Sequence, residues 1–132
     1  MSTKRQVFEY AVLRIVPRVE RGELLNAGVL LYCRQLDYLA VRVELDVDRL
    51  QALDPTADVA AIAQALATTT ESCRQAQASG RDARGQFFRW LTAPRSTVIQ
   101  PGPVHTGLTD DPVAEHERLL QILVRRVPSS GA

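Results

Sequence analysis

RIVPRVERGELLNAGVLLY, residues 14–32, decides the fold. Two apolar runs flank a short polar link at residues 18–23, Arg-Val-Glu-Arg-Gly-Glu, so the chain turns back on itself as a hairpin. Gly22 supplies the permissive backbone that the link needs. The second run carries Asn26 and Gly28 in its middle. A buried amide costs free energy unless it is hydrogen-bonded, and glycine inside a strand marks a bulge or a close backbone approach. Both residues therefore call for a reason.

Working outward, residues 7–16 alternate as a strand does, with Val7, Ala11, Leu13 and Ile15 on one face and Phe8, Tyr10, Val12, Arg14 and Val16 on the other. Pro17 cannot donate to a ladder and ends that strand. Residues 24–33 are almost continuously apolar, which predicts burial on both faces and a central place in the sheet. After Arg34-Gln35, residues 36–45 set Leu39, Val41, Val43 and Leu45 against Tyr38, Ala40, Arg42 and Glu44, a half-exposed third strand. Short links between consecutive strands make an antiparallel meander the simplest arrangement.

The period then becomes helical. Asp46 is placed to cap a short helix holding Val47, Leu50 and Leu53, and Asp54-Pro55 reads as an N-cap with proline at the first helical position. The stripe Val59, Ile62, Ala63, Leu66, Thr70 and Cys73 follows, stopped by Ser79-Gly80. Asp82 opens a third helix with Phe87, Phe88, Trp90 and Leu91, expected to plug one end of the core and ended by Pro94. Residues 96–100 read as a short fourth strand, Pro101-Gly102-Pro103 as its stop and residues 104–108 as a loop. Asp111-Pro112 starts the last helix, whose stripe is Val113, His116, Leu120, Leu123 and Val127, supported by Leu119, Ile122 and Val124. Arg125 and Arg126 fall where the helix dipole favours cations.

The expected fold is α+β in one domain: an antiparallel sheet of three or four strands built on the N-terminal meander, with three or four helices packed mainly on one face. Its core spans about residues 7–127, and residues 128–132 are a tail. At 132 residues the chain is long enough for one core. Sixteen basic and fifteen acidic residues nearly cancel, so net charge argues neither for nor against nucleic acid. The N-terminal apolar run is broken by Glu9 and Arg14, unlike a signal peptide, and no stretch approaches membrane-spanning length. A cytoplasmic protein without cofactor or metal is the expectation. Cys33 and Cys73, with no CxxC spacing, read as small core hydrophobes.

Two segments carry a family resemblance. YAVLRIVPRVERGELLNAGVLLYC at 10–33, and APRSTVIQPGPVHTGL at 93–108 followed by Asp-Pro and a leucine-rich helix, resemble an uncharacterised bacterial family, domain of unknown function 3037, over about residues 10–123. The family tends to have a larger β-branched residue where Ala27 stands and an aromatic where Leu24 stands, differences that touch packing only. The resemblance implies no assigned reaction. It implies a protein partner, with a toxin-type serine/threonine kinase-like neighbour as the contextual candidate.

Candidate chemistry falls in four places. Arg14 and Asn26 share a sheet face if the register has an even offset, and Gly28 would then let a ligand or another chain reach the backbone. The bland alternative has Asn26 bonding a loop or a helix end and Gly28 making room for a crossing helix. Glu20 and Glu23, beside Arg18 and Arg21, are either paired acids or a solvated turn. Pro94-Arg95-Ser96-Thr97 offers a guanidinium and two hydroxyls to a phosphate, or is a helix end complemented by arginines. His105 and His116 lack metal-ligand spacing, which leaves His105 as a lone general-base candidate without a nucleophile motif.

Two readings of function follow. The preferred one is a non-enzymatic binding or accessory module, which predicts an apolar patch or sheet edge for association. The alternative is a small enzyme or phosphate-ligand binder, for which Arg14, Asn26, Arg95, Ser96 and His105 must converge in one cleft. Nucleic-acid binding through Arg81, Arg84, Arg89 and Arg95 ranks third, since no aromatic-studded sheet motif accompanies these arginines.

Overall fold

A computed structural model describes residues 4–127; the tail expected at 128–132 lies outside the described residues. The order of elements is β1 (Gln6–Ile15), β2 (Leu25–Cys33), β3 (Tyr38–Val43), α1 (Val47–Leu53), α2 (Val59–Ala78), α3 (Arg81–Thr92), β4 (Ile99–Pro101), β5 (His105–Thr109) and α4 (Pro112–Leu123). All pairings are antiparallel, and the sheet runs β3-β2-β1, with β4 and β5 both pairing with the far edge of β1. The expected α+β fold with an N-terminal meander is what forms, and β1 and β2 are its central pair.

The segment 104–108, expected as a loop, is a strand: Tyr10 faces His105 and Gln6 faces Thr109. Leu13 faces Pro101, so three residues, Gly102, Pro103 and Val104, stand against two of β1. β4 and β5 are thus one edge strand interrupted by a bulge, with the prolines at the edge where a missing N–H is tolerated.

A second bulge lies across β1. Leu13 faces Gly28 but Arg14 faces Asn26, which leaves Ala27 as the extra residue on β2. Gly28 is needed there by its neighbour: a Cβ would sit 2.8 Å from the Arg42 carbonyl and 2.9 Å from Val43 of β3. The space at Gly28 belongs to β3, so neither a ligand nor a crossing helix approaches the backbone at this point.

The sheet carries a core on each face. On one side α1, α2 and α3 cover Leu13, Leu30, Tyr32, Ile15, Leu25 and Ala27, using Leu50, Ile62, Leu66, Cys73, Phe88 and Leu91. On the other, α4 covers Phe8, Val29, Leu31 and Cys33 with Leu119, Leu120 and Val124. Cys33 and Cys73 are buried and unbridged, and burial pushes the Cys73 thiol up to about 12.

The helix starts follow local capping. Asp46 accepts from the Arg49 amide and Asp111 from the Ala114 amide, as expected. The α2 cap is Asp58, which accepts from the Ala61 amide, rather than Asp54. Asp54 instead closes a tight turn on Thr56. Gly80, not Asp82, precedes α3. The stripes also rotate slightly from expectation: Ala63, Val113, Ile122 and Val127 are exposed, as is Trp90.

Candidate functional site

His116 anchors α4. It is fully buried, with Nε2 2.7 Å from the Val29 carbonyl and Nδ1 2.6 Å from the Tyr38 hydroxyl. A carbonyl only accepts, so Nε2 carries the proton and donates, and Nδ1 accepts from Tyr38. Burial lowers the imidazole pKa to about 4 and raises the Tyr38 phenol to about 12. This is a neutral structural histidine. Its place on the α4 stripe among leucines was the sequence signal for that role.

The hairpin and the distant 94–108 segment do meet, as hydrogen-bonded strands. Arg14 stands between Asn26 on β2 and Gln100 on β4, while Tyr10 stands opposite His105 on β5. All five point to the α4 side of the sheet. The Tyr10 and His105 rings stack with centroids 5.4 Å apart. α4 packs on β2 and β3, so Arg14 is left half-buried beside it. Asn26 Nδ2 donates to the Leu123 carbonyl at the end of α4, 3.0 Å away.

Two atoms at this spot are buried without a partner among the described residues: Arg14 Nε and Asn26 Oδ1. An unpaired buried donor or acceptor costs about 1–3 kcal/mol. Of the partly buried arginines, Arg42 pairs with Glu117, Arg84 with Asp37, Arg125 with Glu44 and Arg95 with the Trp90 carbonyl. Arg14 alone has no such partner among the described residues. Its guanidinium lies over Gly102, where a Cβ would come within 3.2 Å.

The remaining predicted residues lie elsewhere. Strand spacing puts His105 roughly 16 Å from Asn26, two strands across and four residues along. Arg95 is on the opposite side of the sheet, its guanidinium 4.7 Å from the centre of the Trp90 ring. Ser96 is exposed in the link that follows it. Glu23 pairs with Arg21 in the hairpin link, and Glu20 lies 3.8 Å from Arg18. Arg14, Asn26, Arg95, Ser96 and His105 therefore do not form one cleft. Arg81 and Arg84, candidates for a basic patch, both engage Asp37 of the β2–β3 turn, and this holds the Asp37 carboxyl below its usual range.

A second surface runs along α2 on the other face. Ala61, Ala65 and Thr68 form one wall at helical spacing, and Trp90, Arg95, Thr97 and Val98 form the other, around a groove of about 670 Å³. It continues past Ala61, Ala65 and Val98 into a groove of about 610 Å³ bounded by Val19, Arg18 and Asp54. Trp90 is 59% exposed and Val19 48%. Composition alone did not show this groove, because Trp90 reads as core until the rotation of α3 is known.

Among the described residues no helix is long and apolar enough to cross a membrane, and no cluster of His, Cys, Asp and Glu is arranged to hold a metal. The chain belongs to the family described as Protein of unknown function (DUF3037), whose profile matches residues 10–124. No curated protein and no solved structure matches it.

Proposed function

We propose that this chain is a non-enzymatic binding or accessory module of the cytoplasm that engages a protein partner through the groove beside α2. The observation that carries the reading is the exposed Trp90, set with Val98 and Val19 along a wall of small residues. Clustered exposed apolar side chains of this size mark association surfaces, and Trp and Arg dominate binding energy where they are covered. The small side chains of Ala61, Ala65 and Thr68 leave room for a helix backbone to approach closely, as in helix packing generally. The occupant that fits is an amphipathic helix with an acidic residue for Arg95 or Arg18. A kinase-like protein is the candidate partner that the family resemblance suggests.

Co-expression of the chain with a toxin-type serine/threonine kinase-like protein, the partner class that the family resemblance suggests, followed by size-exclusion chromatography, tests this. A stable complex is expected, lost in Ala65→Arg, which fills the groove, and weakened at least about tenfold in Trp90→Ala, the scale of a hot-spot truncation. No complex with the native chain, or a complex indifferent to both substitutions, overturns the reading.

A further inference from the structure

The polar cluster on the α4 side of the sheet is separate from this groove, and the geometry points to a binding site for a small oxyanion that carries a hydrogen-bond donor, of which hydrogen phosphate is the simplest case. Three observations meet at Arg14. Its Nε is a buried donor with no partner among the described residues, and Asn26 Oδ1, directly opposite on β2, is a buried acceptor with none. Gly102 lacks the Cβ that would press on the guanidinium. Both strands flanking Arg14 carry a bulge beside it, Ala27 on one side and Gly102, Pro103 and Val104 on the other. Bulges re-aim side chains and concentrate next to functional sites.

The chemistry of the pair selects the ligand. A guanidinium without a carboxylate partner attracts an oxyanion and offers it directional N–H donors. Asn26 Nδ2 is already committed to Leu123, which fixes the amide so that Oδ1 points away as an acceptor. A ligand that satisfies both groups needs a negatively charged oxygen for Arg14 and an O–H or N–H for Asn26. Hydrogen phosphate has both at neutral pH, sulfate has only the first. A site with a buried acceptor discriminates against the analogue that cannot donate to it.

The test is a nitrogen–proton correlation spectrum of the intact chain titrated with inorganic phosphate, and in a second arm with sulfate at matched ionic strength. We expect the Arg14 Nε–H and the Asn26 amide resonances to move in phosphate with saturation, with sulfate at least about tenfold weaker, and the Trp90 indole unmoved. A third arm with glycine, a carboxylate bearing an ammonium donor, distinguishes a phosphate ligand from an amino-acid one. Arg14→Gln should abolish the response, and because the native chain reports by itself, a misfolded variant does not decide the matter. No saturable shift at Arg14, equal response to phosphate and sulfate, or an unchanged response in a folded Arg14→Gln each overturns the site. The Trp90 resonance and partner capture stand apart from these readouts, so the two sites fail independently.

Discussion

At the scale of single residues, the most consequential side chain is one that sequence reading placed on a stripe without a role. His116 is neutral in the fold because burial disfavours its cation, lowering its pKa from the ordinary histidine value of 6.5 to about 4. Unfolding lets the ring take up a proton, so this contribution to stability is complete above about pH 6.5 and declines as the pH falls toward about 4. The loss across that window is about 3 kcal/mol. Urea midpoints measured across it should show the decline, and His116→Gln should flatten it while lowering stability at neutral pH. Gly28 offers a second prediction at this scale. Its missing Cβ is required by Arg42 and Val43 of β3, so Gly28→Ala should destabilise by about 1–3 kcal/mol, read from the urea midpoint. Asn26 and Gly28 stood out in the sequence as misfits in an apolar run, and both turn out to mark the β2 bulge. The bulge itself was not legible, because it depends on which residue of β1 each one faces.

At the scale of elements, the meander was legible and the edge was not. β1, β2 and β3 announce themselves by alternation and by apolar runs between short links, signals that survive without knowledge of partners. The segment 104–108 reads as a loop because it follows the turn signal Pro101-Gly102-Pro103 and holds a glycine of its own. What makes it a strand is β1, whose Phe8 ring lies over Gly107 in place of a side chain there. Helix starts show the same contrast. Asp54-Pro55 has the composition of an N-cap, but Asp58 holds the cap because Asp54 is spent on Thr56. Removing the true cap is therefore the informative change: Asp58→Ala should cost about 1 kcal/mol of global stability, measured by urea unfolding, with the loss localised by hydrogen exchange to the first turn of α2. The candidate sites divide in the same way. The polar face was partly legible, since Arg14, Asn26 and His105 lie on one side of the sheet, whereas the groove depends on the exposure of Trp90, which only the packing of α3 decides.

At the scale of the whole molecule, a single sheet separates two cores that share its central strands. Leu30 and Leu31 are neighbours in β2, yet the first packs toward α3 and the second toward α4. Each face is thus built by its own helices, and the strands transmit only what moves their backbone. Leu66 of α2 and Leu120 of α4 are buried on opposite faces and belong to different clusters. Truncating either to alanine should cost about 2–5 kcal/mol, through lost transfer free energy and the cavity left behind. Side chains that share no partner usually add within about 0.5 kcal/mol. The double variant should therefore lose the sum, which a domain with a stability near the upper end of about 5–15 kcal/mol survives as a weakened but measurable fold. Urea unfolding of both single variants and the double variant, followed by tryptophan fluorescence and by circular dichroism, checks this. Additive losses with coincident transitions mean one cooperative domain with two energetically separate layers. A coupling well above about 1 kcal/mol would mean instead that the sheet deforms as a unit, and that a ligand at Arg14 on one face would be felt at Trp90 on the other.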